Sequence, residues 1–165
     1  MQHIDAASYK ESMKFLTGAV TLVTTSGLAG KGGFTATAVC SVSDAPPTLL
    51  VCMNKSNELA SIIPENGFFG INIMPKGSEE LANIFAGMTQ LPTRERLQHG
   101  DWVAETVTGV PLLANSLSSF ECRVAGVTTQ ATHLIVFGEV VATSIAKESL
   151  QPLVYFNRGY YTTGQ

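Results

Sequence analysis

The segment from Gly33 to Ser43 writes a strand with two dissimilar faces. Phe34, Ala36, Ala38, Cys40 and Val42 fall on one side; Thr35, Thr37, Val39, Ser41 and Ser43 fall on the other. Side chains alternate along a strand, so the pattern predicts one apolar face and one lined by small hydroxyl groups. The run carries no charge, whereas solvent-facing strands favour long charged residues. Short side chains leave the backbone accessible, and hydroxyls with backbone amides can address a flat, polar ligand at close range. The same pattern suits a Thr/Ser-rich strand packed under another sheet. The run by itself leaves both readings open.

Its surroundings predict more strands. Asp44-Ala45-Pro46-Pro47 ends the run at a turn, because proline cannot donate to the ladder. Thr48–Met53 reads as a buried strand, and Asn54-Lys55-Ser56-Asn57 opens a short helix through Ile63. Polar residues at such a start can cap backbone N–H groups or leave them to a phosphate. Upstream, Ser8–Leu16 reads as a helix: Ser8 and Glu11 have capping-box spacing, Tyr9, Met13 and Leu16 form a stripe, and Gly18 ends it. Ala19–Thr25 and Gly67–Met74 are predicted strands, the latter with Phe69, Ile71 and Ile73 on one face, and the glycines of Gly27–Gly33 predict a turn. Ser78-Glu79-Glu80 starts a helix with Leu81, Ile84 and Phe85 as its apolar face, stopped by Gly87. Leu91–Asp101 reads as a mobile polar excursion. Ser118–Thr128 and Leu134–Ile145 are long strands spaced to pair, and Leu153–Tyr161 is a last strand and turn. Strands dominate without regular βαβ spacing, which favours an antiparallel barrel with added helices over a doubly wound sheet.

At 165 residues and 45% hydrophobic content, the chain has apolar material for one core, and a single domain spanning 1–165 is expected. Charged residues make up only 14%. So sparse a charged surface predicts a homodimer, with a second copy covering part of it. The net charge of −3, without a basic stripe, argues against nucleic acid. No apolar run is long enough to span a membrane, and Met1–Asp5 shows no leader pattern, so a cytoplasmic location is expected. Cys40, Cys52 and Cys122 read as buried free thiols. His3, His99 and His133 lack metal-ligand spacing, and no metal is expected. The glycines match no dinucleotide fingerprint, Lys31 is not followed by Ser or Thr, and no G-x-S-x-G occurs.

Four segments stand in a familiar order: GAVTLVTT from Gly18 leading to GFTATAVCSVSDAPPTLLVCMN, FAGMT from Phe85, THLIVFGEV from Thr132, and LVYFNRGYY from Leu153. Over its whole length the chain resembles the short-chain flavin reductases, nearest the reductase components of 4-hydroxyphenylacetate 3-monooxygenase and the pyrimidine-utilisation flavin reductase. The resemblance implies an FMN-binding split β-barrel, mainly β, antiparallel and Greek-key-like, with short peripheral helices. It implies an NADH-dependent enzyme that reduces FAD or FMN and supplies the reduced flavin to a separate aromatic monooxygenase. Thr35, Ala36, Thr37, Ala38, Val39, Ser41 and Val42 would contact the flavin ring and ribityl chain, and Ser56 and Asn57 its phosphate. Phe85, Ala86, Gly87 and Met88 would flank the rest. His133, Tyr155, Phe156, Arg158 and Tyr160 would meet NADH.

No side chain need act as a catalyst, because hydride transfer belongs to the cofactors and the protein's task is to hold two flat rings together. Lys55 offers a charge near the phosphate or stays solvated. Ala131-Thr132 stands where many relatives carry Gly-Asp, so that carboxylate is missing here. Trp102, Phe120 and Phe137 are assigned to packing. Two rivals use the same or a related barrel. One is a flavin-storage module without turnover. The other is a pyridoxamine-phosphate-oxidase-like enzyme, which would need several phosphate-binding arginines.

Overall fold

β-Branched and aromatic residues in alternation make strands, and glycine- or proline-marked turns fold them back on each other. The computed structural model describes residues 3–103 and 105–164. In chain order the elements are α1 (Ala6–Met13), β1 (Gly18–Ala19), β2 (Thr21–Gly27), β3 (Gly30–Ala36), β4 (Val39–Asp44), β5 (Pro47–Asn54), α2 (Leu59–Asn66) and β6 (Phe68–Ile73). They continue as α3 (Glu79–Phe85), α4 (Thr93–Arg96), β7 (Ser118–Gln130), β8 (His133–Ile145), β9 (Leu153–Phe156) and β10 (Gly159–Thr162). Seven strands form one antiparallel sheet in the order β3-β2-β6-β7-β8-β5-β4, and β1-β9-β10 form a second of three.

β2 explains how two cores share one sheet. Val23 packs with Phe34, Val51, Leu59, Ile63, Phe69 and Ile71, while its neighbours Val20 and Leu22 pack with Met74, Ala82, Phe85 and Leu153. Alternation therefore buries both faces of this strand. Its threonines survive burial because each hydroxyl donates to a backbone carbonyl: Thr21 to Ala36 at 2.7 Å, Thr24 to Pro111 at 2.5 Å and Thr25 to Phe68 at 2.7 Å.

The long hydroxyl-faced strand is in fact two strands. The ladder stops at Thr37-Ala38, and β3 and β4 lie at opposite edges of the larger sheet. The chain crosses from one edge to the other through Thr37-Ala38, and Cys52 N–H donates to the Ala38 carbonyl at 2.9 Å, which extends the β4–β5 pairing by one residue. The break also exchanges the faces. Val39 packs against the core, whereas Ala38, Cys40, Ser41 and Val42 are exposed. The expectation of three buried thiols is corrected with it: Cys122 is buried, Cys52 half-buried and Cys40 exposed, and all three are free.

Other boundaries shift for local reasons. Gly27–Gly33 is mostly strand, since β2 and β3 form a hairpin with only Leu28-Ala29 at its tip. A Cβ on Gly33 would lie 2.7 Å from Phe85 Cε1, so the glycine reflects a helix pressed against the strand. Asp5, not Ser8, caps α1: its carboxylate accepts from the Ala7 and Ser8 amides at 2.9 Å each. The expected stripe of that helix packs on nothing, and Tyr9, Met13 and Leu16 are exposed. α2 starts later than expected, because Asn57 Oδ1 caps Leu59 N–H, and it runs past Pro64 to Gly67 in the left-handed region at φ 76°. Residues 91–101 are not a loose excursion. They hold α4, and Trp102 Nε1 donates to the Leu97 carbonyl at 2.9 Å.

Candidate functional site

Three adjoining cavities make one groove along β3. The middle one, of ≈ 240 Å³, is walled by Val20, Thr35, Ala36, Thr37, Ala86, Met88, Tyr155, Arg158 and Tyr160. Thr35 and Ala86 also border a second cavity of ≈ 280 Å³ with Ser56, Asn57, Glu58, Thr93 and Arg96. Thr37, Tyr155 and Arg158 also border a third, of ≈ 460 Å³, beneath α1. A larger cavity of ≈ 640 Å³ beside Lys31, Trp102 and Glu105 shares no lining residue with the groove.

The middle of the groove is flat and sparsely polar. The Thr35 hydroxyl is not free for a ligand, because it donates to the Ala82 carbonyl at 2.7 Å and ties β3 to α3. Thr37 and Ala38, outside the ladder, present backbone and small side chains. On the opposite wall Tyr155 and Tyr160 meet edge to face at 5.4 Å between ring centroids, and Tyr160 donates to Asn83 at 3.0 Å. Burial, then the neighbouring Tyr155 and Glu79, raise the Tyr160 pKa, so this phenol stays a neutral donor.

One end is cationic. Arg96 spends Nε on the Leu91 carbonyl and Nη1 on the Phe85 carbonyl, each at 3.0 Å. Nη2 points past Gly87, and among the described residues Arg96 makes no ion pair. Asn54 Oδ1 accepts from both the amide and the hydroxyl of Ser56 at 2.9 Å, which folds the Ser56-Asn57 turn toward this cavity. Glu58 is the one carboxylate on its wall, and it is exposed. A flat body with a terminal anion fits the shape and charge of this groove.

The sequence-predicted residues divide cleanly. Thr35, Ala36, Thr37, Ala38, Ser56, Asn57, Ala86, Met88, Tyr155, Arg158 and Tyr160 line the groove, and Gly87 turns the chain between two of them at φ 85°. Phe85 contributes at the wall, but its ring is fully buried edge-on to Trp102. Val39 faces the core, and Ser41 lies with Ser43, Phe120 and Val140 on a separate face. Val42 is exposed beyond the strand break, away from the groove walls. Phe156 points away from Tyr155, as alternation requires, and packs at 6.1 Å on Phe15 and 6.0 Å on Tyr161. His133 starts β8 opposite Asn54, exposed, with its Nδ1 2.9 Å from the Thr132 hydroxyl, and lines none of the three cavities.

Arg96 was missed because Arg94-Glu95-Arg96 reads as a solvated charged turn. Only its return to the end of α3 places it in the groove. Among the described residues, no cluster of His, Cys, Asp and Glu could hold a metal, and no helix is long and apolar enough to cross a membrane.

Comparison with known proteins identifies the family. Residues 13–164 match the model of the flavin reductase like domain. The chain is 42% identical over 158 residues to the FMN reductase (NADH) RutF of Ancylobacter novellus, covering 96% of this chain and 85% of that protein. It is 41% identical over 155 residues to the protein of the same name in Variovorax paradoxus, covering 94% and 84%. Among solved structures, flavin reductase HpaC complexed with NADP+ superposes with a TM-score of 0.86 at 28% identity, covering 96% of this chain and 98% of that one. Flavin reductase PheA2 in its native state gives 0.86 at 25%, covering 98% and 100%. With its split barrel and its match over nearly all residues, the chain belongs to the flavin reductase like domain family.

Proposed function

We propose that this chain is an NADH-dependent flavin reductase whose 165 residues act as one unit. The observation that carries this reading is the continuous groove: a flat, small-residue middle between tyrosines and a single unpaired arginine at one end. FMN or FAD fits it with the ring system along Thr35–Ala38 and the phosphate at Ser56, Asn57 and Arg96. Ala86, Gly87 and Met88 flank the ribityl chain.

When bound, flavin supplies the redox chemistry by accepting hydride from a nicotinamide. The chain's own residues orient and exclude. Thr37 and Ala38 let the ring lie against backbone. Tyr155 and Tyr160 wall the space above it, and Arg96 compensates the phosphate in a partly buried setting where a charge-assisted bond is strong. Arg158 meets the reduced dinucleotide at the mouth.

A second copy would cover the apolar surface around Leu49, Phe120, Val140 and Val141, of which Val141 is exposed and the others half-buried, and the homodimer would carry His133 toward the partner's groove. Reduced flavin then serves a separate flavin-dependent aromatic monooxygenase, in the cytoplasm. The names of the relatives support NADH as donor. Steady-state NADH oxidation, with and without added FMN or FAD, tests the reading. Flavin-dependent turnover is expected, and oxidation no faster with flavin than without it would refute it.

A further inference from the structure

The end of the groove opposite Arg96 is also basic, and beyond the contact of Arg158 with the reduced dinucleotide no role is yet assigned to its other charged residues. Its cavity is bordered by Lys10 of α1 and Lys14 at that helix's C-cap, together with Thr37, Tyr155 and Arg158. Three cations there face one carboxylate, Glu11, which accepts from Lys14 Nζ at 2.6 Å and also from Arg158. α1 is held over this cavity by little else: the Asn157 amide donates to the Lys14 carbonyl at 2.7 Å, and Phe15 tilts onto Phe156. None of its residues is buried.

Arg158 occupies its place at a cost. Asn157 and Arg158 both have left-handed backbone, at φ 46° and 65°, in a two-residue hairpin where Asn-Gly would be relaxed. An arginine kept in such a conformation at the edge of a cavity points to use of its charge.

We propose that this basic mouth holds the pyrophosphate of the reducing dinucleotide, gripped by Lys10, Lys14 and Arg158, with Glu11 standing in for that anion until it arrives. The inference rests on the reductase reading, which places the flavin phosphate at Arg96. A nicotinamide laid on the ring between Tyr155 and Tyr160 then has its phosphates nearest the other end, where three cations wait behind one displaceable carboxylate. Arrival of the dinucleotide exchanges Glu11 for a stronger, bidentate partner.

The test compares two hydride donors with FMN as acceptor: NADH, and 1-benzyl-1,4-dihydronicotinamide, which has no phosphate. In the K10A/K14A double variant the ratio of kcat/KM for NADH to that for the benzyl donor falls about tenfold, the scale of two half-exposed charge contacts. E11Q removes the competing carboxylate and raises the same ratio, and both changes shrink at high salt. An unchanged ratio, an equal loss with both donors, or a fall in E11Q overturns the proposal. So does a double variant that alters FAD use but not donor preference, since the mouth would then serve the adenylate of FAD. If the unaltered protein oxidises neither donor in the presence of flavin, the reductase reading itself fails; if it oxidises both without preferring NADH, only the pyrophosphate grip fails.

Discussion

Arg96 Nη1 donates to the carbonyl of Phe85 at 3.0 Å, and this bond carries a cation from α4 to the C-terminal end of α3. The last carbonyls of a helix lack partners inside it and attract positive charge. One arginine therefore does two jobs: it closes α3 and faces the groove with its remaining nitrogen. Replacing Arg96 with Gln is expected to weaken FMN binding about tenfold, the worth of one charge-assisted contact to phosphate. Riboflavin, which lacks the phosphate, should bind the variant nearly as it binds the original protein. Fluorescence titration with both ligands decides. An equal loss for the two would mean that Arg96 only shapes the wall.

Gly33 is predicted to be intolerant of a side chain. A Cβ there would lie 2.7 Å from Phe85 Cε1 and 3.0 Å from the Val23 carbonyl, and Phe85 has no room to retreat because its ring is fully buried against Trp102. Gly33→Ala should cost about 1–3 kcal/mol, the usual penalty of overpacking. It should also lower flavin affinity, since Ala86 follows Phe85 into the groove. A urea melt of the variant with an unshifted midpoint would show that α3 is not pressed on β3 as described.

Cys122 should be chemically silent in the folded protein. Burial, and secondarily the adjacent Glu121 charge, push its thiol up from 9.0 to about 12. The folded state thus favours the protonated form. The associated stability is complete below the unfolded pKa of 9.0 and is lost as pH rises from there through about 12. At pH 8 a disulfide reagent should titrate Cys40 rapidly and Cys52 slowly, with the third thiol appearing only on unfolding. Cys122→Ser should leave the native count unchanged. A third native thiol at pH 8, lost in that variant, would contradict the burial.

Much of the barrel was legible because alternation and proline turns are local signals. The β7–β8 hairpin and β6 lie close to where periodicity put them. What periodicity could not show was the break at Thr37-Ala38. A change of sheet edge is a long-range event, seen only in the pairing itself: Ala36 lies opposite Thr21 of β2 and Val39 opposite Val51 of β5. Val39, Ser41 and Val42 came to the site by resemblance, and after that turn Val39 faces the core while Ser41 and Val42 lie off the groove of a single copy. Arg96 was hidden for the converse reason, since nothing near it in sequence reveals that Phe85 and Leu91 offer it their carbonyls. The two lysines of α1 lay on a helix whose apolar stripe promised packing, and the stripe proved exposed.

The break also makes Thr37 and Thr35 a decisive pair. Both are threonines of the predicted hydroxyl face and both line the groove, Thr37 bordering the middle cavity and the basic mouth. Thr35 is committed to the Ala82 carbonyl at 2.7 Å. Thr37→Leu should fill the floor on which the ring lies and weaken flavin binding by about 1 kcal/mol or more, while the melting temperature barely moves. Thr35→Val keeps the volume but removes the tie from β3 to α3, leaving the Ala82 carbonyl with its helical bond from Ala86 N–H alone. It should cost about 1 kcal/mol of stability while leaving flavin affinity nearly intact. Thermal melts and FMN titrations on the two variants must therefore diverge. If Thr37→Leu bound FMN normally, the flat ring could not lie where the chain crosses from one edge of the sheet to the other.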